Sequence, residues 1–120
     1  MLKPFAALMI AASLAACAPH RPAPPPHIGD AAHGRLLITI YGCGSCHEIP
    51  GIAGANGLSG PPLDHMADRT IIAGYLPNTA PNMMRWIETP QTVAPGNAMP
   101  NLGLGDRDAR DVTAYLYSLR

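Results

Sequence analysis

The sequence predicts a small all-α domain over residues 29–120, with a helix at each end and long irregular loops between. Apolar residues recur at helical spacing in three places, and glycine- and proline-rich stretches separate those places. No alternating strand pattern of any length appears.

The first helix starts after Gly29, where Asp30 can cap it. Gly34, Leu37, Ile38 and Tyr41 then share one face at i, i+3, i+4 and i+7, and Gly42 should end the helix. A middle helix is expected from about Thr79, carrying Met83, Met84, Trp86 and Ile87 and ending before Pro90. The last helix opens at Gly105 or Asp106 and lines up Val112, Tyr115, Leu116 and Leu119. Asp106 and Asp108 in its first turn and Arg120 at its end suit the helix dipole. The stretches 51–62 and 90–105 read as loops, and loops that long need something to pack on.

A chain of 120 residues allows one small domain, and its aromatic content of 5% makes for a thin core. A large apolar cofactor held inside would relieve that shortage, although a marginal domain without one has the same composition. Formal net charge is zero, which excludes the strong basic field of a nucleic-acid binder. There are three cysteines, an odd count that does not suit a closed disulfide framework.

One of the three, Cys17, is explained by an N-terminal address. Lys3 precedes an apolar run from Phe5 to Ala16, the layout of a secretory signal over residues 1–16, and too short to span a bilayer comfortably. Leu14-Ala15-Ala16-Cys17 resembles the lipobox of bacterial lipoproteins, which implies cleavage before Cys17 and its acylation. Ordinary cleavage near Ala16 or Ala18, leaving a free thiol, is the alternative. Residues 17–28 are then a lipidated cysteine and a proline-rich tether. At about 3.1 Å per residue such a tether reaches on the order of 30 Å. Its His20 and His27 read as solvated.

The other two cysteines belong to Cys43-Gly44-Ser45-Cys46-His47, the C-x-x-C-H pattern of c-type haem attachment. Two thiols add to the two vinyl groups of haem, and the histidine that follows is placed under the iron. A thioredoxin-like dithiol would sit between a strand and a helix, and a zinc site would need two more ligands at usable spacing. A plain disulfide would leave His47 without a role. The second axial ligand must come from further along the chain. Met66, Met83, Met84 and Met99 are available, with His33 and His65 as nitrogen donors. Met99 lies between Pro95 and Pro100 on an irregular segment, a fitting place for a soft sixth ligand. Met83 and Met84 read as helix core.

At these residues the chain resembles the class I cytochrome c family, over nearly all of 29–120. The resemblance implies a small fold in which the terminal helices cross and long loops wrap one covalently bound haem c. It implies a crossing at Gly34 against Tyr115. It further implies a Pro61 carbonyl that accepts the His47 ring N–H, from Gly60-Pro61-Pro62-Leu63. By the same resemblance Arg69 steadies a haem propionate and Trp86 stands beside the methionine sulfur. A narrower similarity is to the cytochrome c domain fused to subunit II of some haem-copper cytochrome c oxidases. It rests on Gly42–His47, Gly60–Leu63, Leu76-Pro77-Asn78-Thr79, Arg85-Trp86-Ile87, and Pro95–Pro100 with Leu102-Gly103-Leu104. There a copper domain precedes the cytochrome; here a lipid anchor and a tether are expected in its place.

The function expected is single-electron transfer rather than catalysis, because methionine closes the sixth position and raises the potential. Redox partners are expected, with oxidase subunit II or a quinol-oxidising complex as candidates, on the periplasmic side of a bacterial membrane. A haem subunit of a dehydrogenase complex is the alternative, and a peroxidase or gas-binding protein a further one. Lys3 is the one lysine, so docking should rest on apolar contact and tethering more than on a basic ring.

Overall fold

The computed structural model describes residues 27–120. The expected signal, Cys17 and His20 lie outside the described residues. Among the described residues no helix is long and apolar enough to cross a membrane.

Helix α1 spans Ala31–Ile40. The Asp30 carboxylate accepts the N–H groups of Ala32 and His33 at 2.9 and 3.1 Å, satisfying two donors of the first turn. Gly42, at φ 70°, turns the chain in the left-handed region and leads into a 3₁₀ turn, Cys43–Ser45. A second 3₁₀ turn covers Met66–Asp68. Helix α2, Ala80–Glu88, is capped by Thr79 and buries Met83 and Ile87. The last long helix, which follows a shorter one described below, spans Asp106–Leu116 and buries Ala109, Val112, Tyr115 and Leu116.

That last helix and α1 cross, as expected, but the crossing point differs. A Cβ on Gly34 would overlap the backbone carbonyl of Asp111 and meet the nitrogen of Val112. Tyr115 lies one turn further on, and its hydroxyl donates to the Pro50 carbonyl at 2.6 Å. Helical spacing fixes which face a glycine occupies, whereas the residue opposite depends on crossing angle and translation, which spacing does not carry. The helix also stops at Leu116, so Leu119 reaches the core from the turn beyond it. Arg120 sits 3.8 Å from the Asp68 carboxylate rather than in a last helical turn.

Three small elements were unforeseen. β1, Ile71–Ile72, pairs antiparallel with β2, Leu76–Pro77, in the register Ile72↔Leu76. Two residues per strand are too few to show alternation in sequence. Pro90 starts a short helix, α3, Pro90–Val93, inside the stretch read as loop. The final helix, Asp106–Leu116, is therefore α4. The core lies between α1, α2 and α4, around Leu37, Ile38, Met83, Ile87, Val112 and Leu116.

A polar contact locks the crossing. Asp111 of α4 is buried; its carboxylate accepts the Asp30 backbone N–H at 2.7 Å and the His33 Nδ1–H at 2.7 Å. His33, foremost, and the Asp30 amide hold the Asp111 carboxyl below the usual carboxylate range. A depressed carboxyl stabilises the fold fully above its unfolded value, about 3.9, and loses that contribution as pH falls through its folded value. Asp111→Asn should therefore lower stability at pH 7 and show a shallower acid loss below about pH 4. Denaturant titrations at several pH values measure this, and an acid slope equal to that of the unaltered protein would contradict it.

Candidate functional site

The turn after α1 and the loops on either side of α2 enclose a cavity of about 600 Å³. That is within the usual range for sites that bury a small organic ligand, about 300–1,000 Å³. Cys43, Cys46, His47, Pro61, Arg69, Trp86 and Met99 all line it. The walls are mostly apolar, with Ile38, Met66, Met83, Val112 and Leu116 supplied by the core.

Cys43 is half-buried and Cys46 exposed, and both thiols are free. Burial pushes the Cys43 thiol up, while hydrogen bonding to Ser59 and then Ser45 lowers Cys46. The loop that follows is laid against this turn. The Gly57 N–H donates to the Gly44 carbonyl at 3.1 Å, and Gly60 N–H donates to the Cys46 carbonyl at 2.7 Å. A Cβ on Gly57 would sit 2.5 Å from the carbonyl carbon of Cys46, so a side chain there would lift the loop off.

His47 is oriented from the same loop. Its Nδ1 lies 2.7 Å from the Pro61 carbonyl oxygen. A carbonyl only accepts, so Nδ1 carries the proton, and in the neutral ring Nε2 is left with its lone pair free for a metal. A Cβ on Gly60 would stand 2.6 Å from His47 Nδ1, so the absence of a side chain lets the loop close on the ring.

Arg69 lines the cavity while its Nη2 holds the Pro62 carbonyl at 2.6 Å, the Asp64 carbonyl at 2.8 Å and the Asp64 carboxylate at 3.0 Å. It therefore braces the segment that carries Pro61. Trp86 stacks on Tyr75 with ring centroids 6.2 Å apart and planes 20° apart. Met99 is half-buried on a loop held by two side chains. Gln91 Nε2 donates to the carbonyls of Asn97 and Met99, and Asn97 Oδ1 accepts the Met99 N–H at 2.7 Å.

The other possible ligands are placed differently. His65 is exposed beside Asp64 and Asp68 and does not line the cavity. His33 is engaged by Asp111. Met66 and Met83 line the cavity from within the packed core, and Met84 is not on its wall. Among the described residues no three His, Cys, Asp or Glu side chains gather as a metal-ion set. The dithiol follows α1 directly, not a strand.

Ser59, Tyr75, Asn78, Gln91 and Asn97 were missed from sequence. Asn78 Nδ2 ties the carbonyls of Met66 and Arg69, and its own Oδ1 accepts from Tyr117. Asn97 follows Gly96 (φ 82°), a turn signature that could have flagged it. The rest act through contacts across loops and leave no local signal.

The family model for cytochrome c matches residues 31–120. Cytochrome c oxidase subunit 2 of Alkalihalophilus pseudofirmus is 35% identical over 91 residues, which cover 75% of this chain and 26% of that relative.

Proposed function

The chain belongs to the cytochrome c family, and on that premise we propose that it carries single electrons on one haem c, joined to Cys43 and Cys46 and ligated by His47 and Met99. Covalently held haem and electron carriage follow from the family. The single haem, its ligands, the anchor and the partner are the further content of the proposal.

One observation carries it: two free thiols, an imidazole with its Nε2 free and a thioether line the same apolar cavity. The donor set fits. Imidazole and thioether are the axial pair of electron-transferring haems, and the pair favours the reduced iron. When bound, the haem supplies the one-electron chemistry; the chain's residues bury it, fix the His47 ring and fill the sixth position. A filled sixth position leaves no place for peroxide or a gas.

For the partner we favour the copper-bearing side of a haem-copper oxidase. The support is that the similar protein from Alkalihalophilus pseudofirmus is a cytochrome c oxidase subunit, 35% identical over 91 residues. Tyr75 at the cavity is exposed, as is Leu58 one residue before the lining Ser59, in keeping with apolar docking. Acylated Cys17 and the proline tether would hold the domain at the periplasmic face of a bacterial membrane, raising its concentration near a membrane partner.

Mass spectrometry of protein made in a host with haem-attachment machinery tests this. One haem should remain through organic extraction, Cys46→Ala should lose one thioether, and the N-terminus should be acylated Cys17. Mild solubilisation should bring the oxidase with it. Haem stripped by the solvent would overturn the site, and an unmodified N-terminus elsewhere would overturn the anchor.

A further inference from the structure

The segment carrying Met99 has almost no backbone pairing of its own. Within residues 96–99 the one backbone hydrogen bond recorded is Asn97 N–H to the Ala94 carbonyl at 3.1 Å. The remaining order comes from two side chains. Gln91 accepts the Gly96 N–H at 3.0 Å through Oε1, and through Nε2 donates to the Asn97 carbonyl at 2.8 Å and the Met99 carbonyl at 2.7 Å. Asn97 accepts the Met99 N–H and donates to the carbonyls of Pro90 and Ala94 at 3.0 and 2.7 Å. Both polar atoms of the Met99 backbone are thus satisfied by side chains, and one of those side chains is Gln91.

Gln91 is itself fixed. It follows Pro90, whose side chain is fully buried, and its own N–H donates to Asn101 Oδ1 at 3.2 Å. Its side-chain amide is fully engaged, two bonds from nitrogen and one to oxygen. A planar amide meets that pattern, one acceptor and two donors in fixed directions, and neither a hydroxyl nor a carboxylate does.

We propose that Gln91 is the positioning residue for the sixth ligand: it pre-sets the Met99 loop from α3, and its loss frees the thioether from the iron. The proposal rests on Met99 being that ligand. A thioether is a neutral, weak ligand, so the fraction of time it is off the iron depends on how closely the loop is held in the bound geometry. Any competing ligand binds in proportion to that fraction.

The test uses oxidised holoprotein and three variants. Gln91→Leu removes all three bonds. Gln91→Glu keeps the acceptor for Gly96 but sets a carboxylate against two carbonyls, and protonation returns one donor. Thr92→Ala, an exposed neighbour on the same short helix, is the control. Azide affinity should rise about tenfold or more in Gln91→Leu. The red methionine–iron band should give way at lower pH than in the unaltered protein. Gln91→Glu should lose the band as its carboxyl ionises and regain it in acid, a reversal that simple misfolding would not give. Thr92→Ala should change none of these. Band and azide affinity unchanged in Gln91→Leu, or no acid recovery in a folded Gln91→Glu, would overturn the proposal alone. Unaltered protein without the band would overturn Met99 ligation and this proposal together.

Discussion

Met99→Ala should leave the haem on its proposed attachment sites, Cys43 and Cys46, and should remove the methionine–iron charge-transfer band altogether. The potential should fall by on the order of 100 mV, a fraction of the roughly 0.8 V that axial ligands span. Carbon monoxide and azide should bind far more tightly than to the unaltered protein, and weak peroxidase activity should appear because the sixth position is open. The geometry makes the controls informative. Met66→Leu and Met83→Leu alter residues that also line the cavity, but from the packed core. Both should keep the band, as should Met84→Leu. His65→Ala should keep it too, since His65 is exposed against Asp64 and Asp68. Persistence of the band in Met99→Ala, or its loss with His65→Ala, would reassign the ligand.

Gly34→Ala should have the largest effect on stability. Two terms oppose each other. Alanine in a helix interior gains about 1 kcal/mol over glycine. Its Cβ would overlap the Asp111 carbonyl, a backbone atom that cannot swing aside. Relief requires α1 and α4 to part, which also strains the His33–Asp111–Asp30 contacts. Overpacking in a core costs typically 1–3 kcal/mol, and this one displaces backbone and so falls at the upper end, which leaves about 2 kcal/mol net after the alanine gain. For a domain of this size that lowers the thermal midpoint by roughly 8–16 °C. Calorimetry of the holoprotein measures it; a midpoint within about 2 °C of the unaltered protein would mean that the helices do not cross so closely.

The helices were legible because their apolar faces repeat within a few turns. Leu37 and Ile38, or Met83 and Ile87, announce themselves by spacing alone. Asp30 and Thr79 were legible as helix starts because capping is chemistry between residues two or three apart. The attachment motif was legible for the same reason: five consecutive residues contain the two thiols and the imidazole. What lay beyond reach was set by how elements meet. Gly34 could be assigned to the crossing, but its partner, Asp111 rather than Tyr115, depends on the crossing geometry. Gln91 could not be told from a solvated loop glutamine, since the groups it holds are backbone atoms five to eight residues away. Each strand of the Ile71–Pro77 hairpin spans a single period of the alternation that would reveal it.

Most domains loosen first at their ends. Here the first and last helices of the domain are tightly enclosed: Ala109 and Thr113 of α4 have no exposed surface, and Ile38 of α1 has almost none. The irregular loop at 51–54, far from either end, is largely at the surface. In deuterated water the order of exchange should therefore run inside out along the sequence. Amides near residues 51–54 exchange through small local openings, while those of α1 and α4 wait for the whole molecule to unfold. The first and last helices of the domain then form a single cooperative unit that closes it like a clasp, and a protease acting on residues 31–116 would find its first cut in the middle.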